Sequence, residues 1–496
     1  MIRIAMTGIK VAEAAVSAKP PYLFLLSLFC ISSVQAQSYD ITDILTASSP
    51  SYSRDKNWKP GAGIPLEVSG MEWLGEGKLA LCIRKGDVLI MESGKDGKPV
   101  FSKFASGLHE PLGLMKDGDD LLVAQRSEIT RLKDRDKDGV ADVYLTESTG
   151  WSVSGSYHAY VYGPEVDGKG RKWVTLNLDM GPHTNNSIGW RGWGGIIGED
   201  RKFIPMACGM RSPSGLGANK AGDMFFTDQQ GTWIPATPIY HLRKGVFYGN
   251  QEGLGSMNLP GSPMKFKPPK RNQPYPDAVR ECKELVPPAA WLPYNKMGRS
   301  ATDIELIDCG GKFGPFEGQL LVGEFTNAAI SRVFLEKVNG QYQCACFPFM
   351  DGFPSAVLRL KFAPDGSLYV GMSNRGWSSL GNRSYGLQKV NFNGEVPLAI
   401  KEMRAVKGGF EVELTKAVKV KEFTMVSYTY NYASSYGGPE VRRMYRKVVA
   451  SPVDGKPGTY SLQVDALPEM YVYELKAKLP WGKELAAYYT LNSAVK

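Results

Sequence analysis

His158 is the first candidate for chemistry, because histidine is scarce in this chain. Only four histidines occur in 496 residues, and His158 stands in SYHAYVYG, directly before an apolar stretch. A neutral imidazole can accept a proton near neutral pH without a large shift of its pKa. A single histidine is more often a hydrogen-bonded structural group than a base. Spacing alone therefore favours the structural role for His158.

Arg211 lies in a loop whose shape glycine and proline determine. The segment GMRSPSGLG, residues 209–217, has the periodicity of neither a helix nor a strand. A guanidinium is a planar, permanent cation that can clamp an anionic oxygen or stabilise charge that develops on oxygen. Arg211 is therefore a candidate for binding an anionic ligand, and hydrogen bonding to a backbone carbonyl is the alternative.

A short acidic segment has the residue types and spacing of a calcium loop. Its carboxylates stand at Asp134, Asp136, Asp138 and Asp142. Alternating carboxylates followed by Gly139 for a sharp turn can surround Ca²⁺ with oxygen ligands. An EF-hand needs an acidic residue at the twelfth position, where Leu145 stands, so we predict a shortened calcium loop with a structural role. A solvated acidic turn is the alternative.

Several classes of site have no signature in the sequence. The chain lacks the C-x-x-C-H motif of covalently bound haem, a C-x-x-C pair for zinc, a G-x-S-x-G elbow, a P-loop and a dinucleotide-binding fingerprint. His109, Glu110 and His183 lack metal-ligand spacing, which favours structural roles for them. Three tryptophans could stack on a sugar but are more often packing residues: Trp190, Trp193 and Trp233. The net charge of +9 is spread along the chain, so nucleic acid is not an expected partner.

The N-terminal segment has the order of features found in a secretory signal. Arg3, Lys10 and Lys19 precede an apolar run at residues 22–34 that is too short to span a bilayer. Val-Gln-Ala at residues 34–36 then offers a cleavage site. We therefore predict a signal peptide at residues 1–36, a secreted or periplasmic protein, and no transmembrane segment in the mature chain. The six cysteines that follow permit disulfides in an exported chain, with buried free thiols as the alternative.

A turn-plus-strand unit recurs along residues 40–395 and indicates the fold. Its six copies are GEGKLALCI from Gly75, KDGDDLLVA from Lys116, DGKGRKWVTL from Asp167, NKAGDMFFT from Asn219, FEGQLLVGE from Phe316 and PDGSLYVG from Pro364. Most neighbouring copies lie about 40 to 50 residues apart, which is the length of a four-stranded propeller blade. Because a closed ring buries most sheet edges, we predict a six-bladed β-propeller rather than a β-sandwich or solenoid.

Two regions fall outside this repeat. The segment SPMKFKPPKRNQPYPD from Ser262 is rich in proline and basic residues, and it predicts a long inserted loop over one face. After residue 396, apolar and polar residues alternate in FEVELTKAVKV, FTMVSYTYNY, TYSLQVDAL and YVYELKAKL. This alternation predicts a C-terminal antiparallel β-sandwich at residues 396–496. The predicted fold class is therefore all-β, a six-bladed β-propeller at residues 40–395 followed by a small sandwich.

Four segments, taken in order, give the chain a resemblance to a known family. They are HAYVYGP from His158, the Gly-Met-Arg-Ser-Pro-Ser-Gly-Leu run at 209–216, YHLRKGVFYG at 240–249 and FAPDGSLY at 362–369. Their order resembles the glucose/sorbosone dehydrogenase family over roughly residues 65–395. Members of that family are exported six-bladed propellers, and their soluble sugar dehydrogenases use pyrroloquinoline quinone with calcium. The resemblance therefore implies these two cofactors here.

The resemblance also implies roles for individual residues. His158 looks like the base that accepts the proton of the sugar hydroxyl, and Arg211 looks like the arginine that clamps the quinone. The other residues at cofactor-binding positions are Ser212, Gln230, Gly231, Tyr248 and Arg359. The sequence departs from the family where Ser212 replaces an asparagine, where residues 325–327 replace a lysine, and where Arg359 stands alone instead of a pair of arginines. An anionic quinone would lose part of its cationic clamp through these changes.

Two further segments look like an exported branch of propellers that resemble membrane-bound dehydrogenases and often carry a haem module. They are LHEPLGLMKDG from Leu108 and KDRDKDGVAD from Lys133. The function expected from the whole sequence is an exported oxidoreductase that oxidises a sugar or polyol and passes electrons to a separate acceptor. Two alternatives stay open: a non-catalytic propeller that binds a glycan or a protein, and a calcium-dependent lactone hydrolase.

Overall fold

The computed structural model describes residues 38–46, 66–180, 189–374, 377–383, 385–433 and 435–496. Strands make up 48% of the structure and helices 3%, and the strands pair in several antiparallel sheets, so the all-β prediction is confirmed. The predicted signal peptide at residues 1–36 and His183 lie outside the described residues. Within the described ranges, no helix is long and apolar enough to cross a membrane.

The described part of the chain begins with β1 (Tyr39–Leu45), and from residue 66 it forms three four-stranded antiparallel sheets in sequence order. The first sheet contains β2 (Val68–Gly75), β3 (Lys78–Ile83), β4 (Asp87–Ser93) and β5 (Pro99–Ala105). The second contains β6 (Gly113–Asp117), β7 (Asp120–Ala124), β8 (Ile129–Lys133) and β9 (Val143–Ser148). The third contains β10 (Val161–Val166), β11 (Lys172–Leu176), β12 (Trp193–Ile197) and β13 (Phe203–Cys208).

The middle of the chain forms a fourth sheet and the principal helix. First come β14 (Leu216–Ala218), β15 (Met224–Thr227) and β16 (Thr237–His241). A 3₁₀ turn (Leu254–Asn258), β17 (Gln273–Pro274), helix α1 (Tyr275–Glu281) and β18 (Ala290–Leu292) follow. β18 pairs with β16 and completes the fourth sheet. The segment from Ser262, predicted as an inserted loop, therefore includes β17 and the start of α1.

The last part of the chain supplies the remaining sheets. It contains β19 (Ala301–Leu306), β20 (Leu320–Glu324), β21 (Ala329–Val338), β22 (Gln341–Met350), β23 (Val357–Phe362), β24 (Leu368–Ser373) and β25 (Tyr385–Phe392). The C-terminal strands are β26 (Ile400–Val406), β27 (Gly409–Leu414), β28 (Glu422–Thr429), β29 (Asn431–Tyr432), β30 (Val441–Arg446), β31 (Val448–Pro452), β32 (Thr459–Val464), β33 (Tyr471–Lys478) and β34 (Glu484–Leu491).

The first strands of six sheets contact one another in a closed circle. In order around the circle these innermost strands are β2, β6, β10, β14, β19 and β23, and β23 returns to β2. Each of the six repeat turns found in the sequence lies between an innermost strand and the next strand of its sheet. β1 pairs with β25 in the sheet that begins at β23, so the start of the described chain completes the last sheet. Residues in or directly before all six strands line one narrow space, which we call the central channel.

Glycine lets the innermost strands approach one another closely. A Cβ atom on Gly113 of β6 would lie 1.8 Å from the carbonyl oxygen of Gly163 in β10. A Cβ atom on Gly215, just before β14, would lie 1.9 Å from the carbonyl oxygen of Thr302 in β19. A larger side chain at either position would push neighbouring sheets apart. These glycines therefore help to keep the channel narrow.

The C-terminal strands continue one of the sheets. β22 pairs with β34, and the sheet runs on through β33, β28 and β30. The strands β26, β27, β32 and β31 form a second sheet that packs on the first, with Phe410 against Tyr473 and Tyr489. β17 pairs with β29, which ties the segment from Ser262 to this region. The predicted domain boundary at residue 396 stays a prediction.

The six cysteines of the described residues are free thiols rather than disulfides. Five of them are buried, and Cys309 is half-buried. The Sγ atoms of Cys344 and Cys346 come within 4.0 Å of each other on one face of β22. The alternative of buried free thiols therefore describes this structure.

Candidate functional site

A cavity of about 290 Å³ opens near the N-terminal ends of several innermost strands. Residues at or before the starts of β10, β14 and β19 form part of its wall, and segments after β15, β20, β24 and β29 form the rest. The described residues that line it are His158, Tyr160, Tyr162, Arg211, Ser212, Ser214, Gln229, Ser300, Ala301, Thr302, Phe325, Thr326, Trp377, Ser378 and Tyr436. The structure therefore brings His158 and Arg211 to the same cavity.

His158 reaches the cavity from the segment that leads into β10. Its backbone N–H donates to Ser156 Oγ at 3.3 Å, and this hydroxyl donates to the carbonyl of Met180 at 2.7 Å. The imidazole packs against two aromatic rings, with centroid distances of 5.7 Å to Tyr157 and 5.3 Å to Trp377. His158 is half-buried. The side chain is thus held by its neighbours and stays accessible from the cavity.

The guanidinium of Arg211 forms no hydrogen bond or close ion pair with a described side chain, but its charge acts on two neighbours and opposes the burial that raises the pKa of Asp228 and of Tyr436. Its backbone is fixed, because the carbonyl accepts from the N–H of Leu178 at 2.9 Å and the N–H donates to Asp228 at 2.8 Å. A Cβ atom on Gly231 would lie 2.3 Å from Nε of Arg211, so glycine at this position leaves room for the arginine. The alternative that Arg211 binds a backbone carbonyl is not what the structure shows.

Two buried carboxylates shape the loops around the cavity. Asp228 accepts hydrogen bonds at 2.8, 2.6 and 2.7 Å from the backbone N–H groups of Arg211, Ser212 and Gln229. Glu324 likewise accepts from the backbone N–H groups of Arg299, Ser300 and Asn327. Burial raises the pKa of Asp228 to about 6, and it also raises the pKa of Glu324. Sequence analysis did not identify these two positioning residues.

Ser212 and Gln230, at predicted cofactor-binding positions, differ in their access to the cavity. Ser212 lines it, and its Oγ accepts a hydrogen bond from Asn177 Nδ2 at 2.8 Å. Gln230 is buried, and its Nε2 donates to the carbonyl of Arg299 at 3.0 Å. Its Oε1 has no partner in the part of the chain that the structure describes. The neighbouring Gln229 lines the cavity instead.

Tyr248 and Arg359 are not among the residues that line this cavity. The hydroxyl of Tyr248 donates to the carbonyl of His241 at 2.9 Å and accepts from the N–H of Arg243 at 3.0 Å. The guanidinium of Arg359 donates at 3.0, 2.9 and 2.6 Å to the backbone carbonyls of Ser69, Leu358 and Leu112. Both side chains therefore hydrogen-bond to the backbone, and neither lines the cavity that contains His158 and Arg211.

A second, narrower cavity of about 40 Å³ lies in the channel next to the first. Ser214 lines both cavities, and its Oγ is buried without a partner among the described residues. Charged side chains gather at the narrow cavity, namely Glu72, Glu165, Asp303, Glu305, Arg359 and Lys361. Lys361 pairs with Glu72 at 2.7 Å. Burial raises the pKa of Glu165 to about 8 and that of Glu305 to about 7.

Three residues of the acidic loop between β8 and β9 come together. Each of Asp134, Asp136 and Asp138 places one carboxylate oxygen within 4.8 Å of the others. Oδ1 of Asp134 is buried and has no hydrogen-bond partner in the described ranges. Asp142 is not part of this group, and its Oδ2 accepts from the N–H of Arg135 at 3.0 Å. Calcium binding by this loop stays a prediction.

Other residues considered from the sequence have structural surroundings. Glu110 forms ion pairs with Arg84 at 2.8 Å and Arg126 at 3.0 Å. His109 is not among the described residues that line the cavity. Three tryptophans are buried in the core: Trp190, Trp193 and Trp233. Trp377, which no sequence pattern singled out, lines the cavity instead.

The lining fits a small ligand that is rich in oxygen atoms. A volume of about 290 Å³ is at the lower end of ligand pockets. The guanidinium of Arg211 and the hydroxyls of Ser212, Ser300 and Thr326 can hydrogen-bond carbonyl, carboxylate or hydroxyl oxygens. These groups fit the quinone oxygens of pyrroloquinoline quinone. Arg211 is the one arginine or lysine that the described lining offers to its carboxylates.

Comparisons with known proteins give similarity in fold. No protein-family model matches the chain, and no curated protein matches its sequence. A glucose dehydrogenase structure is 13% identical, covers 71% of this chain and 98% of its own, and gives a TM-score of 0.48. The PQQ domain of pyranose dehydrogenase from Coprinopsis cinerea is 13% identical, with 71% and 95% coverage and a TM-score of 0.47. The PQQ-bound aldose sugar dehydrogenase from Streptomyces coelicolor is 13% identical, with 71% and 98% coverage and a TM-score of 0.45.

Proposed function

We propose that the chain oxidises a hydroxyl group of a sugar or other polyol in the cavity that His158 and Arg211 line. The observation that carries this proposal is the guanidinium of Arg211, which forms no hydrogen bond or close ion pair with a described side chain, although Asp228 fixes its loop. The buried carboxylate of Asp228 offsets part of this positive charge, and the N–H donors of the guanidinium stay available to an anionic ligand in the cavity. The imidazole of His158, which lines the same cavity, can accept a proton.

In this proposal His158 acts as the general base. A substrate hydroxyl that donates to a ring nitrogen of His158 gives its proton to the imidazole, while the hydrogen on the same carbon leaves with two electrons as hydride. Arg211 and Ser212 would hold the electron acceptor, with the guanidinium against its anionic oxygen. Pyrroloquinoline quinone, when bound, supplies the hydride acceptor. The hydroxyls of Ser300 and Thr326 orient the polar edges of the ligands.

The proposal includes the architecture and the location of the chain. The closed circle of contacts among the innermost strands supports a six-bladed propeller. The two C-terminal sheets that pack on each other support a sandwich after it. Export by residues 1–36 would place the site outside the cytoplasm, where a separate acceptor would receive the electrons. The resemblance to the exported dehydrogenase-like branch also belongs to this proposal.

Reduction of a redox dye tests the proposal. The purified protein is mixed with pyrroloquinoline quinone and Ca²⁺ and assayed with aldoses and polyols, and binding is followed by the absorbance of the quinone. We expect turnover from the wild type and loss of quinone binding in Arg211→Ala. Arg171→Ala is the matched control, because Arg171 stands on the turn between β10 and β11 and pairs with Asp167. Absence of both bound quinone and turnover would contradict the proposal.

A second candidate function is glycan binding without catalysis. The observation that favours it is the exposure of aromatic rings at the cavity, where Trp377 is 49% exposed and Tyr436 is 50% exposed. Dye reduction and sugar binding, measured for the wild type and for His158→Ala, separate the two functions. In an enzyme this change abolishes dye reduction and spares sugar binding, whereas in a binding protein the wild type itself binds glycans and reduces no dye.

No observation favours calcium-dependent lactone hydrolysis in this cavity. That reaction needs carboxylates that hold the metal beside the substrate. Within the described ranges, the one group of three ligands close enough to share an ion is Asp134, Asp136 and Asp138. These residues lie in the loop between β8 and β9, and none of them lines the cavity.

A further inference from the structure

Exposed aromatic side chains stand at the mouth of the cavity, and the reaction proposed above uses none of them. Tyr157 is 41% exposed, Trp377 is 49% exposed and Tyr436 is 50% exposed. Trp377 and Tyr436 line the cavity, and Tyr157 packs against His158 in its wall. Large aromatic surfaces are unfavourable in water, so a group of them beside a cavity indicates a ligand-binding surface.

Trp377 is held in its exposed position by the segment that follows it. The N–H of Leu380 donates to the carbonyl of Thr326 at 2.8 Å. A Cβ atom on Gly381 would lie 2.6 Å from the backbone of Ser355, so the segment packs closely on the body of the protein. The exposure of the indole is therefore a property of an anchored segment. A ring fixed in this way loses little conformational entropy when a ligand stacks on it.

The aromatic residues form two pairs. The first pair is Tyr157 and Trp377, whose ring centroids are 6.3 Å apart, with Trp377 also 5.3 Å from the imidazole of His158. The second pair is Tyr294 and Tyr436, whose centroids are 6.1 Å apart. The hydroxyl of Tyr436 accepts a hydrogen bond from Gln229 Nε2 at 2.7 Å. Through this contact the second pair adjoins the loop of Arg211.

We propose that the cavity takes the end of a chain of linked sugars, with the terminal ring inside and the next ring stacked on Trp377 and Tyr157. A sugar ring has faces made of C–H groups, which pack on aromatic faces, and an edge of hydroxyl groups, which stays in water or forms hydrogen bonds. The identity of the substrate as a linked sugar rests on the proposed function, whereas the stacking surface itself does not.

The volume of the cavity supports a ligand that extends beyond it. About 290 Å³ must hold both the reacting ring and the electron acceptor, so a second ring lies outside the cavity. On the His158 side, the edge of the cavity is formed by Trp377, which lines it and is half exposed, and by Tyr157, which packs beside Trp377. A free monosaccharide would leave both of these rings in water. The geometry therefore gives the longer ligand an additional apolar contact.

Isothermal titration calorimetry with sugars of increasing length tests this inference. The probes are glucose, xylose, mannose and N-acetylglucosamine, each as the free sugar and as linked oligomers of two to six units, with both α-1,4 and β-1,4 links for glucose. In at least one series we expect affinity to rise about 10-fold from one ring to two or three, equivalent to about 1.4 kcal/mol. We then expect affinity to level off.

Two tryptophan variants locate the contact. Trp377→Ala should remove the gain from added rings, so that oligomers lose more affinity than the single sugar does. Trp481→Ala, which removes an indole that is 60% exposed in the C-terminal region, should keep the full gain. Tyr157→Ala is the second variant of the stacking surface and should reduce the gain in part.

The inference is overturned if no series binds more tightly with added rings, which is also the result expected when the aromatic surface receives a protein electron acceptor. It is overturned equally if Trp377→Ala weakens single sugars and oligomers alike. Calorimetry needs no electron acceptor, so its result is independent of dye reduction. A length-dependent affinity without any dye reduction would remove the proposed oxidation and leave the stacking surface in place.

Discussion

Asp228 and Glu324 have the same structural task in two neighbouring sheets. Asp228 follows the buried apolar strand β15, Glu324 ends the buried apolar strand β20, and each accepts three backbone N–H groups from loops at the cavity. Hydrogen bonds to a charged acceptor are stronger than those to a neutral one, so both loops are firmly held. The sequence signal is an acidic residue that closes a short, buried and mostly apolar run, as in MFFTD and LLVGE.

Gly231→Ala tests the role of Arg211 without removing its charge. The added Cβ would lie 2.3 Å from Nε of Arg211, and because this atom belongs to a flexible side chain, the guanidinium moves rather than the backbone. We expect the free energy of unfolding to change by less than about 1 kcal/mol. We expect kcat/KM to fall at least about 10-fold, because the cation leaves its place at the cavity. Steady-state kinetics and urea unfolding measure the two effects.

The double variant Gly231→Ala/Arg211→Ala is the control for this prediction. If glycine acts only by making room for the arginine, the double variant is no less active than Arg211→Ala alone. If the double variant instead loses the activity of both single variants added together, Gly231 has another role.

The sequence predicted some residues of the site and missed others, and the surroundings of the individual side chains explain the difference. His158 and Arg211 came from family resemblance, and both line the cavity. Tyr248 came from the same resemblance, but its hydroxyl is engaged with the backbone at His241 and Arg243. Trp377 could not be found from the sequence, because its exposure depends on how the segment after β24 is anchored to distant loops.

At the scale of elements, local pairings were predictable and distant ones were not. The glycine-containing repeats correctly marked the turns after β2, β6, β10, β14, β19 and β23, because a hairpin turn is determined by its own residues. The pairing of β22 with β34 joins segments far apart in the chain, and nothing local in either strand specifies its partner. The alternation of apolar and polar residues predicted the C-terminal strands. It did not show that some of them continue the sheet that begins at β19.

The acidic loop between β8 and β9 should bind Ca²⁺ and gain stability from it. Asp134, Asp136 and Asp138 place carboxylate oxygens within 4.8 Å of one another, and a shared cation would relieve their repulsion. We expect Ca²⁺ to raise the Tm by about 1–3 °C relative to EDTA. Asp136→Asn should remove most of this difference in a calorimetric scan.

Asp142→Asn is the matched control for the calcium prediction. Asp142 stands outside the close group and accepts the N–H of Arg135, so its replacement should preserve the effect of Ca²⁺ on the Tm. Equal Tm values in Ca²⁺ and EDTA for the wild type would contradict the prediction.

At the scale of the whole molecule, the charged cluster in the channel links the innermost strands and makes stability depend on pH. Four carboxylates there share two cations, those of Arg359 and Lys361. Burial raises the pKa of Glu165 to about 8 and that of Glu305 to about 7, from an ordinary value of 4.5. The folded protein therefore holds protons that the unfolded chain releases. Their stabilising contribution is complete below about pH 4.5 and is lost as the pH rises through 7 and 8.

Glu165→Gln tests this dependence, because an amide does not ionise. The wild type should lose free energy of unfolding between pH 5 and pH 8, and the variant should reduce that loss by roughly 1–3 kcal/mol. Urea unfolding at several pH values measures the effect. Glu199→Gln, which changes an exposed glutamate, is the control and should leave the pH dependence unchanged. Stability that rises from pH 5 to pH 8 in the wild type would contradict the prediction.

The pairing of β1 with β25 has a consequence for how the protein is made. Tyr39 lies opposite Phe392, so a ribosome must synthesise most of the molecule before the first strand meets its partner. Until then both strand edges are exposed, and exposed edges pair readily with other chains. We therefore expect wrong strand pairing to compete with folding until β1 meets β25.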